Sequence, residues 1–152
     1  MMAGVPSLAR SYAETLDRLR FLLDAWRIER LFVLAYSAGG YPALRYGVDL
    51  SAERIVLMSG WIDLELADQG PLLSSLVGSV GHMYGPPAAL MARAPRTQCI
   101  LAYGADNPRD EAHARTLAGA RNVILRPLNG VSGHSLAVET VHDELIADLL
   151  GV

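Results

Sequence analysis

Thiol chemistry is nearly absent from this chain: its single cysteine, Cys99, opens an apolar run. A buried structural thiol is expected there, no intramolecular disulfide can form, and such a chain suits a reducing compartment such as the cytoplasm. Long hydrophobic runs are missing too, since no apolar stretch reaches the roughly eighteen residues that a spanning helix needs. Met1 to Arg10 has no charged segment leading into an apolar core, so neither a signal peptide nor contact with a membrane is expected. Concentrated positive charge is also lacking, with a formal net charge of -3 and basic residues scattered singly. Arg18 and Arg20 lie among Glu14, Asp17 and Asp24, the pattern of a solvated helix face. Nothing here gives an electrostatic footprint for nucleic acid. No phosphate-binding loop and no Gly-x-Gly-x-x-Gly after the first strand are present, so no cofactor is expected. His82 has no acidic or cysteine partner at metal-ligand spacing, and His113 and His142 fall within helical stretches as surface or half-buried residues. No metal site is expected either.

What the chain does have is the material of one compact domain over 1–152, with 51% hydrophobic and 19% charged residues and no internal repeat. Its organising stretch runs from Leu31 to Gly40. Apolar and aromatic residues continue without a charge from Leu31 to Tyr36, as in a strand buried on both faces of a parallel sheet. Ser37 follows at once, and Ala38, Gly39 and Gly40 allow a sharp reversal into a helix through Tyr41, Ala43, Leu44 and Tyr46. Before it, Leu8, Tyr12, Leu16, Leu19, Leu22, Leu23 and Trp26 recur at helical spacing, predicting an amphipathic helix over Ser7 to Trp26. After it come three more apolar runs, beginning at Ile55, Cys99 and Val123. A helical stretch lies between the last two, from Glu111 to Ala120, and another closes the chain from Leu136 to Leu149. Strands alternating with helices predict an α/β fold, a parallel sheet of about four strands with helices on both faces. The longest connection, 63–98, holds an apolar helix candidate at Leu72 to Val80 and a short helix at Ala88 to Arg93. It is long enough for a small lid, though an ordinary crossover with a long loop fits equally. Its Met83 and Tyr84 are candidate walls of a substrate pocket.

A serine becomes a nucleophile only with a base in hydrogen-bond reach and a carboxylate to orient that base. In a parallel sheet the strand C-terminal ends share one edge, where ligands bind, so partners for Ser37 belong just after the later strands. After the third strand the chain reads Gly104-Ala105-Asp106-Asn107-Pro108-Arg109-Asp110, and after the fourth Asn129-Gly130-Val131-Ser132-Gly133-His134. Asp63, beyond the second strand, is a remoter candidate acid.

The elbow Ala35-Tyr36-Ser37-Ala38-Gly39, the Tyr103-Gly104-Ala105-Asp106 turn and Gly133-His134-Ser135 follow the order Ser, Asp, His. Over essentially its whole length the chain resembles the α/β-hydrolase superfamily, with alanine in place of the first glycine of Gly-x-Ser-x-Gly. That resemblance implies Ser37 as nucleophile, His134 as general base and acid, and Asp106 as orienting carboxylate, with Asp110 the alternative. The family's acid commonly falls three residues after the glycine, where this chain has Asn107. The Ala38 amide would serve the oxyanion, with Tyr36 beside it. The implied activity is hydrolysis of a small carboxylic ester or thioester through an acyl-enzyme. The alternative is a catalytically inactive hydrolase-like domain used for binding or protein interaction.

The front of the chain departs from that pattern. Complete members have several strands before the elbow strand, and one of their loops gives the second oxyanion donor; here a single helix fills the space. The elbow strand then becomes a sheet edge, which must be covered. A homodimer, or a partner over that first strand, is the expected solution.

Overall fold

The computed structural model describes residues 10–63, 66, 86–134, 147 and 151. It divides into two units, one ending at Leu31 and one starting at Phe32. The first holds α1 (Tyr12–Ala25). Ser11 caps it, its hydroxyl accepting from the Glu14 amide at 3.2 Å, and this cap is why the helix starts later than the apolar spacing alone predicts. It ends where Arg27 turns left-handed at φ 53°. Ile28 N–H then bonds back to Leu23 O at 2.9 Å, closing the orphan carbonyls in the Schellman manner.

The second unit is a four-stranded, all-parallel sheet in the order β1-β2-β3-β4. The strands are β1 (Phe32–Tyr36), β2 (Arg54–Met58), β3 (Gln98–Gly104) and β4 (Val123–Leu128). Between them run a 3-10 turn (Ser37–Gly39) and α2 (Gly40–Asp49), then α3 (Pro87–Ala92), then α4 (Pro108–Arg115). This is the α/β architecture that the alternating pattern predicts. Parallel strands explain the charge-free runs: β2 and β3 hold the interior, with Ile55, Val56, Leu57, Cys99 and Leu101 fully buried. Each such aliphatic side chain is stabilised by about 1.5–3 kcal/mol through burial. Ile100 and Ala102 pack with Val56, and Ile124 of β4 closes against them.

Two expectations change at the sheet's ends. β1 is not buried on both faces: Leu34 is 45% exposed and Tyr36 is exposed, because the strand pairs on one side only among the described residues. β4 continues past the apolar run Val123-Ile124-Leu125 through Pro127 to Leu128. Proline is tolerated because β4 has a partner on one side only among the described residues. Of the expected helices, Leu72 to Val80 and most of the closing stretch lie outside the described residues. Among those described, no helix is long and apolar enough to cross a membrane.

Candidate active site

Ser37 sits where β1 stops and the 3-10 turn into α2 begins, with φ at 52°. A non-glycine residue in that region carries strain of about 1–3 kcal/mol, held by the surroundings. Those surroundings are specific: Ser37 O accepts from the Trp61 amide at 2.9 Å and from the Gly40 amide. Gly40 is required by close approach, since a Cβ there would stand 2.8 Å from Gly60 Cα. The segment just after β2 thus braces the elbow from the side.

The next two strands deliver the partners. Gly104, closing β3, lets the loop after β4 pass so near that a Cβ would meet Val131 O at 2.5 Å. The two loops are tied by Ala105 N–H to Leu128 O at 3.0 Å and Asp106 N–H to Val131 O at 3.2 Å. The chain then reaches His134, whose Nε2 lies 2.7 Å from Ser37 Oγ and whose Nδ1 lies 2.8 Å from Asp110 Oδ1. A carboxylate only accepts, so Nδ1 carries the proton, Nε2 offers its lone pair and the Ser37 hydroxyl donates to it. The Tyr36 hydroxyl donates to His134 O at 3.0 Å. The imidazole stands between tilted rings, Tyr36 at 5.7 Å and Trp61 at 6.0 Å between centroids, and Arg109 lies over the Trp61 ring at 4.9 Å.

The favoured carboxylate is corrected. Asp106 is exposed and its Oδ2 accepts from the Gly130 amide at 3.0 Å; it struts the histidine loop and does not face the imidazole. Asp110 does. The reason is that α4 begins earlier than expected, at Pro108 instead of Glu111, because Asn107 caps it by accepting from the amides of Arg109 and Asp110 with proline in the first turn. Asp110 therefore falls in the first helical turn, where the N-terminal dipole favours a negative charge. Its side chain is wholly buried, and a buried carboxylate needs a partner such as His134.

The remaining sequence candidates fall as follows. Ala38 occupies the 3-10 turn directly after Ser37 and is exposed. Asp63 offers its backbone N–H to His113 Nδ1 at 3.4 Å. His113 is completely buried, correcting its reading as a surface or half-buried residue. Met83, Tyr84, His82 and His142 lie outside the described residues, as does most of the 63–98 connection. Cys99 is buried, and burial pushes its thiol up to about 12, an inert group at neutral pH. Among the described residues no group of three or more His, Cys, Asp and Glu side chains is placed to hold a metal ion. Sequence reasoning missed Trp61 and Arg109, although Trp61 stands just past the end of β2, on the edge where the other partners were sought.

No family model matches the sequence, and no curated protein matches it. Solved structures do match in shape. A carboxylesterase from the ammonia-oxidizing thaumarchaeon Nitrososphaera gargenis superposes with a TM-score of 0.62 at 15% identity, over 97% of this chain and 73% of that one. MGS-MChE2, an α/β hydrolase enzyme from the sediment metagenome of the Mar Chica lagoon in Morocco, superposes with a TM-score of 0.62 at 17% identity, over 98% of this chain and 72% of that one. The chain has the α/β-hydrolase fold.

Proposed function

We propose that the protein is a serine hydrolase of small carboxylic esters or thioesters. The single observation that carries this reading is the unbroken contact from Ser37 Oγ to His134 to Asp110, at 2.7 and 2.8 Å. Ser37 Oγ attacks the acyl carbon as His134 Nε2 takes its proton, and the carbonyl electrons move onto oxygen beside the Ala38 N–H. The buried Asp110 carboxylate stabilises the imidazolium without taking the proton. Collapse of the tetrahedral species expels the alcohol or thiol, protonated by His134, and leaves an acyl ester on Ser37. Water, deprotonated by His134, clears that ester and restores the serine. The reaction needs no cofactor, and the fold's likeness to a carboxylesterase supports an acyl substrate. The proposal includes a homodimer packed along β1, which has a strand neighbour on one side only among the described residues. Sedimentation at micromolar concentration should give the mass of two chains, and a monomer would contradict that part.

Hydrolysis of short-chain p-nitrophenyl esters tests the chemistry. Wild type should turn over with an initial burst of one nitrophenolate per chain, and Ser37→Ala and His134→Ala should each lose about three to six decades in kcat. Equal rates in wild type and Ser37→Ala would overturn the reading in favour of binding without chemistry.

A further inference from the structure

His113 stands one turn beyond Asp110 on α4, so the two side chains share a helical face. Its ring is completely buried and has no part in the steps above. The Asp63 N–H can only donate, so His113 Nδ1 is the lone-pair nitrogen and Nε2 carries the proton. The groups facing the ring are Arg109 and Asp110 from α4, Asp63 from the loop after β2, and His134 from the loop after β4. Burial, then Arg109, hold its pKa below the ordinary value against the opposing pull of Asp63 and Asp110. The ring is therefore neutral near pH 7, with one N–H to give.

That N–H has no acceptor, for Nε2 is buried without a hydrogen-bond partner. Asp110 has the complementary defect. Its Oδ1 meets His134, while Oδ2 is buried without a donor. A lone buried donor and a lone buried acceptor are each costly, and here they sit one turn apart.

We propose that His113 is a positioning residue for Asp110, its Nε2–H serving Asp110 Oδ2 through one trapped water. The bond fixes the carboxylate plane so that Oδ1 stays aimed at His134 Nδ1. The hydrogen-bonded line then runs from the Asp63 backbone through His113, Asp110 and His134 to Ser37. The inference rests on the hydrolase reading only in calling Asp110 part of the catalytic machinery; the bond itself does not depend on turnover.

Two variants and one wild-type measurement test it. His113→Leu removes the donor and keeps the bulk, whereas His113→Gln places an amide N–H near the position of Nε2. Fluorophosphonate labelling of Ser37 should slow about tenfold or more in His113→Leu, as a carboxylate that can turn misplaces the base. The acid limb of its labelling-rate profile should move up by about half a pH unit, because a carboxylate deprived of a donor binds the imidazolium more strongly. His113→Gln should stay within about threefold of wild type with an unmoved profile. A purely packing role would leave both profiles alone. Labelling of His113→Leu at the wild-type rate with the wild-type profile would overturn the inference. Should the leucine variant fail to fold, the ring nitrogens of His113 in wild type decide by NMR. An Nε2–H tautomer with a slowly exchanging proton supports the bond, and an Nδ1–H tautomer overturns it. Absence of labelling in wild type would sink the hydrolase reading alone and leave that tautomer measurement as judge.

Discussion

Asp106 lies in the exposed turn that leaves β3, its carboxylate holding the Gly130 amide at 3.0 Å. Asp110, in the first turn of α4, is buried and faces His134 at 2.8 Å. Both belong to the same rim of the sheet and both carry a carboxyl group, yet water screens one while the protein interior and a helix N-terminus surround the other. Position on the rim is therefore insufficient to orient an imidazole. Burial, a helix dipole and a side chain fixed by its helix distinguish the group suited to that task from the one that ties two loops together.

The largest effect should come from neutralising each carboxylate in turn. Asp110→Asn should lower kcat for ester hydrolysis by about four decades, because an amide cannot hold the required tautomer. Asp106→Asn, which keeps a carbonyl oxygen for the Gly130 amide, should stay within about threefold of wild type. Equal losses would erase the distinction. Next in size, Gly40→Ala forces a Cβ against the Gly60 backbone and should push the elbow away from the imidazole. About a hundredfold loss in kcat and about 1–3 kcal/mol in urea unfolding are expected.

A smaller effect concerns stability against pH. The pKa of His113 is lowered in the fold from 6.5, so below that pH the unfolded chain takes up a proton that the native chain refuses. Its contribution is present in full above 6.5 and is lost as pH falls through the native value. Urea midpoints from pH 7.5 down to 5 should fall in wild type, and His113→Gln should flatten part of that slope; an identical slope would refute the assignment. Smallest of all, Tyr36→Phe removes the hydrogen bond to the carbonyl of His134. It should cost about 1 kcal/mol or less in stability and only a few-fold in rate, since the bond is exposed.

How much of this was legible in the sequence follows from which signals are local. Ser37 was readable because a charge-free run, a serine and two glycines fit a strand, a turn and a helix. His134 was readable because loops after parallel strands share an edge. Asp110 stood only second to Asp106, although the decisive signal was present: Asn107 before Pro108 is a helix start, and it shifts α4 so that Asp110 enters its first turn. With that shift His113 follows one turn behind Asp110 and goes inside as well. The pairing of Arg109 with Trp61, and of Trp61 with the imidazole, joins loops from different strands. No local period encodes such contacts. The exposure of Leu34 shows the opposite limit, since an apolar run gives no sign of which strand lies at the end of a sheet.

The central claim, a serine activated through a histidine that Asp110 orients, is most directly tested by intact-mass analysis after treatment with a fluorophosphonate. The account predicts one adduct per chain, mapped to Ser37, absent in His134→Ala, and formed far more slowly in Asp110→Asn than in Asp106→Asn. No adduct on wild type, under conditions that saturate a control serine hydrolase, would contradict it.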